Sequence, residues 1–105
     1  MGQAAAVTAP PQTGQALIRA IATMQRISFT YEQQKRYAEP QCLGFTSTGA
    51  ETLRAYLPKG GGSVSEPLFT VAKMSDFVVL DERFSRPGPH YKKGDSAMKT
   101  ILAEL

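Results

Sequence analysis

The apolar periodicity of the chain changes once, and that change governs what it can fold into. Leu17, Ile18, Ile21 and Met24 recur at the spacing of an amphipathic helix, with Thr13 placed to cap its start. From Arg26 the repeat drops to two. Ile27, Phe29 and Tyr31 alternate with Arg26, Ser28, Thr30 and Glu32, as in a strand with one face in water. A helix packed on a sheet follows.

The remaining β-suited runs are short and separated by turn chemistry. A second strand spans 36–45, interrupted by Pro40 and Gly44, and Pro inside a strand marks an edge, an end or a bulge. After Ser47-Thr48-Gly49, Leu53, Ala55 and Leu57 alternate with Thr52, Arg54 and Tyr56, so the second and third strands form a hairpin. Runs at 68–74 and 77–80 supply strands four and five beyond the glycine-rich link Lys59-Gly60-Gly61-Gly62-Ser63. A Pro/Gly loop over 85–94 then leads to Asp95, which the pattern reads as the cap of a last helix carrying Met98, Ile101, Leu102 and Leu105. The expected fold is α+β: a small, strongly bent, five-stranded antiparallel barrel flanked by an N-terminal and a C-terminal helix. Residues 1–13, small side chains with Pro10-Pro11, read as a disordered tail, and 14–105 as one domain.

Several function classes fall away. One cysteine and one histidine in 105 residues supply neither a disulfide nor the four protein ligands of a structural zinc site, and no motif calls for a cofactor. No apolar run approaches a membrane span and the start lacks a signal-peptide pattern, so cytoplasmic residence is the expectation. Asp81 and Glu82 are adjacent, which on a strand points them to opposite faces and prevents acid/base cooperation. Lys59 precedes its glycines, the wrong order for a nucleotide-hydrolysing phosphate loop. A nucleophilic pair could come only from Cys42 and His90, one in a strand of apolar residues and the other in a Pro/Gly loop.

The formal charge is +3, and its placement says more than its size. Arg26, Ser28 and Thr30 share a face of the first strand, and Arg54 shares a face of the third with Tyr56. Arg36, Lys73 and Tyr31 stand near strand ends, while Arg83, Arg86, Lys92 and Lys93 crowd the loop before the last helix. On a small barrel these would offer cations for phosphates beside aromatic faces for bases, a surface for single-stranded nucleic acid or a nucleotide, although a charge of +3 on composition alone fits ordinary solvated strand faces better.

The order of features resembles the WYL domain family, in particular its short stand-alone members. The resemblance is carried by Ala20-Ile21, Ile27-Ser28-Phe29-Thr30-Tyr31, Arg36-Tyr37-Ala38-Glu39-Pro40, Leu43-Gly44, Leu53-Arg54-Ala55-Tyr56, Phe69 with Lys73-Met74, and Leu80-Asp81-Glu82-Arg83-Phe84. The closing run from Arg86-Pro87-Gly88-Pro89-His90-Tyr91 through Gly94-Asp95-Ser96-Ala97-Met98 to Leu105 is similar to the short members. Glu51-Thr52-Leu53 stands where the family has Trp-Tyr-Leu. The resemblance implies an Sm- or SH3-like barrel in a bacterial regulator or phage-defence protein, a ligand-sensing role without catalysis, and binding positions at Tyr31 and Arg36 with Tyr56 and Lys73 as neighbours. Arg54 joins this set from strand parity. The alternative is a protein-interaction or dimerisation module in which an apolar sheet edge or the final helix docks a partner or a second copy.

Overall fold

A computed structural model of the chain describes residues 12–59 and 64–105. The proposed tail, apart from its last two residues, and the Gly60-to-Ser63 part of the glycine-rich link lie outside the described residues. Helix α1 (Gln12–Thr23) turns Leu17, Ala20 and Ile21 inward and leaves Ile18 exposed. The chain reverses through Met24, which adopts a left-handed φ of 56°, and enters β1 (Gln25–Tyr31).

β1 pairs antiparallel with β2 (Gln34–Phe45) across a two-residue turn in which Glu32 and Gln33 both have positive φ, the twist that suits a tight hairpin. β2 is the spine of the sheet. Its first half pairs with β1, and its second half with β3 (Glu51–Tyr56) on the other edge. The register of the second pairing shifts between Pro40 and Cys42, where proline has no N–H to give. β4 (Leu68–Thr70) extends the sheet beyond β3, a 3-10 turn (Val71–Lys73) follows, and β5 (Ser75–Arg83) returns beside β1. Ile27, Phe29, Leu43, Leu53, Phe69 and Met74 meet the inner face of α1 in one core. The rings of Phe29, Tyr31 and Phe69 lie edge to face at centroid separations of 4.9 to 6.3 Å.

Two expectations are corrected. The sheet has six strands and does not close: the path runs β4-β3-β2-β1-β5, and β4 and β5 stand at its two ends unpaired with each other. Only three residues of the 68–74 run extend as β4 before the chain tightens into the 3-10 turn, too few to reach across and seal a barrel. There is also no C-terminal helix. Thr100–Glu104 is a strand, β6, antiparallel to the second half of β2 on the edge that β1 leaves free. Ile101 and Ala103 turn inward at a period of two while Leu102 is exposed. Gly44 makes room for this pairing, since a Cβ there would run into the Thr100 carbonyl oxygen. Asp95, expected as a helix cap, instead accepts the Ala97 N–H and is taken by an arginine from β3.

Candidate functional site

The loop 84–99 joins β5 to β6 and crosses the outer side of β2 and β3. Its two ends are apolar: Phe84 and Met98 are buried, and the adjoining backbone is tied by Phe84 N–H to Met24 and Lys99 N–H to Phe45. Between those anchors the loop is tied down by hydrogen bonds. Gln41, fully buried on β2, accepts the Gly88 N–H at 2.5 Å and donates to Glu66 at 2.9 Å. Glu66 accepts the His90 N–H at 2.6 Å through its other oxygen. The loop passes close enough here that a side chain at Gly88 would collide with Gln41, Tyr56 and Glu66.

Beneath the loop lies a cleft of about 550 Å³, whose lining includes Arg54, Glu66, His90, Tyr91, Lys92 and Asp95. The alternation of β3 places Leu53, Ala55 and Leu57 in the core and turns Arg54 outward to this cleft. Its guanidinium is held on three sides. Nε donates to Asp95 Oδ2 at 2.8 Å, Nη2 to Asp95 Oδ1 at 3.2 Å, and Nη1 to the Glu66 carbonyl at 2.9 Å. Those bonds use three of its five N–H donors, leaving one on each terminal nitrogen without a partner among the described residues. The hydrogen bond from Arg54 holds Asp95 below the usual carboxylate range against the opposing effect of its burial, and the same bond raises Arg54. Burial first, then the nearby Glu104 carboxylate, pushes the Tyr91 phenol up, which keeps its hydroxyl a donor to the Leu105 carbonyl at 2.6 Å.

Of the five residues expected to form one patch, the cleft takes in Arg54. Tyr56 is half-buried against Gly88 at the loop's underside. Tyr31 is buried, its hydroxyl accepting the Thr70 N–H at 3.0 Å. Arg36 lies with it in a separate cluster, the guanidinium 5.9 Å from the Tyr31 ring and 5.8 Å from Phe69, donating to the Tyr31 carbonyl at 3.1 Å and standing 3.5 Å from Glu32. Its Nε is buried without a partner among the described residues. Lys73 is exposed on the 3-10 turn and does not line the cleft. On the sheet's outer face Arg26 is paired with Glu39 at 2.9 Å, and Tyr37 is exposed with the Lys35 ammonium 5.9 Å from its ring.

Cys42 is buried, and its thiol is pushed up to about 11, by burial first and then by the Asp95 and Glu104 carboxylates, against the opposing pull of Arg54. Among the described residues no cluster of three histidine, cysteine or carboxylate side chains could hold a metal ion, and no helix is long and apolar enough to cross a membrane.

Sequence reasoning missed Gln41 and Glu66 as cleft residues, because nothing local marks a polar residue whose partner lies 25 positions away. Lys92 did carry a signal, the crowding of cations in the loop, whereas His90 stood out only as the one imidazole that could pair with Cys42. Comparison with protein-family models, with curated proteins and with solved structures finds no match to this chain.

Proposed function

We propose that this chain is a non-enzymatic ligand-sensing module that binds a nucleotide, or a short stretch of single-stranded nucleic acid, in the cleft between β3 and the loop 84–99. The observation that carries the reading is the state of Arg54: fixed by Asp95 and the Glu66 carbonyl, it keeps two N–H donors free at the wall of a concave site. A guanidinium already oriented loses little freedom on taking an anion, which is what preorganised recognition requires.

The lining itself balances Arg54 and Lys92 against Glu66 and Asp95, and the surplus of cations comes from the rest of the loop. Both oxygens of Glu66 and both of Asp95 already accept hydrogen bonds within the protein. Lys92 and His90 are exposed at the cleft, and Arg86, Lys93 and Lys99 stand exposed on the same loop. Tyr91 adds an aromatic ring to the lining. The volume suits a single nucleotide, since small-ligand sites run from about 300 to 1,000 Å³. The resemblance to ligand-sensing WYL proteins points the same way, with Arg54 rather than Arg36 and Tyr31 as the anchor.

Calorimetric titration with adenosine monophosphate and with hexathymidylate at low salt tests this. Arg54→Ala is expected to weaken binding more than tenfold, because a charge-assisted hydrogen bond contributes about 1.5 to 3 kcal/mol. Lys73→Ala, away from the cleft, should leave binding within about twofold. Lys92→Ala should weaken binding without touching the Arg54 clamp, which separates a binding effect from loss of fold. The proposal fails if neither compound binds, or if Arg54→Ala and Lys73→Ala behave alike in folded protein.

A further inference from the structure

The cations that face solvent near the cleft belong to one loop and end there. Elsewhere on the sheet Arg26 pairs with Glu39, Arg36 with Glu32 and two aromatic rings, and Lys35 with the Tyr37 ring, while Arg83 at the end of β5 and Lys73 on the 3-10 turn are exposed but do not line the cleft. Single strands bound along their length need a basic groove that tracks successive phosphates. Among the described residues no such row continues from the loop along the sheet.

We infer that the group captured by Arg54 is a terminal phosphate, the phosphomonoester of a free mononucleotide or of an oligonucleotide end, and that internal phosphodiesters are not what the cleft selects. This rests on the reading of the cleft as a nucleotide site and names the part of the ligand it recognises. A phosphomonoester carries about −1.5 to −2 charges on three terminal oxygens, whereas a phosphodiester carries a single charge on two. The wall offers donors for a group of the first kind. Arg54 has one free N–H on each of its terminal nitrogens, each a charge-assisted donor for a phosphate oxygen. Lys92 lines the same cleft and supplies an ammonium for the remaining oxygen, and His90 lines it as well.

Asp95 is neutralised by Arg54 and also accepts the Ala97 N–H, while both Glu66 oxygens are occupied by the neutral donors Gln41 and the His90 N–H, so its negative charge persists and Lys92 is the cation in the lining that offsets it. At the other end of the ligand, the Tyr91 ring is fixed by its hydrogen bond to Leu105 and supplies a surface for the base.

The test compares hexathymidylate with a 5′-phosphate, the same oligonucleotide with a 5′-hydroxyl, thymidine monophosphate, thymidine and inorganic phosphate, all titrated into the wild-type chain. The phosphorylated oligonucleotide is expected to bind at least about tenfold more tightly than the hydroxyl form. Thymidine monophosphate should displace it and thymidine should not. In Lys92→Ala both oligonucleotides should bind more weakly, the phosphorylated one by the larger factor, so that the gap between them narrows. Equal affinity for the two oligonucleotides overturns terminal-phosphate capture and leaves nucleic-acid binding standing. Inorganic phosphate binding as tightly as thymidine monophosphate overturns it too, since the nucleoside would then add nothing. Absence of binding by every compound removes the underlying reading as well.

Discussion

Arg54 and Asp95 lie 41 positions apart in the chain and meet through two parallel N–H···O bonds, so that one side-chain pair fastens the loop 84–99 to β3. The geometry is that of a guanidinium fork on a carboxylate, the strongest form of side-chain hydrogen bonding available to a protein. Asp95 is nearly buried, and Arg54 is about one quarter exposed. Asp95→Ala should therefore destabilise the fold by about 1 to 2 kcal/mol, less than a fully buried pair would show because water can reach the arginine left behind. Chemical denaturation measures this, and hydrogen exchange should show the loss concentrated in 85–99 while β1 and β5 keep their protection. A variant as stable as wild type would show that the loop does not depend on this pair.

The same bond sets a pH dependence. Because Arg54 holds Asp95 below its ordinary range, the folded state binds this proton less readily than the unfolded chain does. The stability it contributes is present above the unfolded carboxylate value of about 3.9 and is lost as pH falls through the lower, folded value. The stability difference between wild type and Asp95→Asn should be constant from about pH 6 to 8 and shrink below about pH 4. A difference that grows on acidification would assign the effect to another group.

How far the sequence could be read depended on whether local spacing and tertiary packing agreed. Over α1, β1 and β3 the apolar positions agreed, with Leu17 and Ile21 buried at helical spacing and Ile27, Phe29 and Tyr31 at strand spacing, while Ser28 and Thr52 on the faces expected in water are buried because other segments cover them. The parity that set Arg54 apart from Leu53 and Ala55 was visible for the same reason. At the C-terminus they disagreed. Met98, Ile101, Leu102 and Leu105 fit a helix face, but the deciding facts were remote: a glycine on β2 that admits a neighbouring backbone, and an arginine on β3 that claims Asp95. Tyr31 and Arg36 stand near a strand end as their positions suggest, yet both are drawn into an aromatic cluster with Phe69, a partner remote in the chain that no spacing rule announces.

Gly44 is where that remote control can be tested. It pairs with Ile101, and a side chain there would press on the Thr100 carbonyl, which is backbone and cannot swing aside. Gly44→Ala should cost about 1 to 3 kcal/mol through overpacking and should detach β6 before the rest of the sheet. Amide exchange reads this directly, with 100–104 losing protection and β1 and β5 retaining it. Gly49→Ala is the contrast, because that glycine has open space but a left-handed φ of 86°. It should cost roughly 1 kcal/mol from backbone strain alone and leave β6 protected.

The single thiol gives a final prediction, and it bears on whether the chain could act as a nucleophilic enzyme. Cys42 pairs with Arg54 across β2 and β3 and with Glu104 across β2 and β6, so it sits between two strands with its side chain buried. Burial disfavours the thiolate, and the neighbouring carboxylates disfavour it further, which is why the thiol is pushed up to about 11 despite Arg54 nearby. Nucleophilic cysteines require the opposite setting, exposed and electropositive. At pH 8 such a thiol holds about a hundredfold less thiolate than one in an unfolded chain, and burial blocks access as well. Native protein at that pH should therefore react with an alkylating reagent at least about a hundredfold more slowly than the denatured chain. Cys42→Ser should leave nucleotide binding intact. Rapid alkylation of the folded chain, accompanied by loss of a turnover, would instead make Cys42 a reacting group and oblige the loop carrying His90 to move toward it.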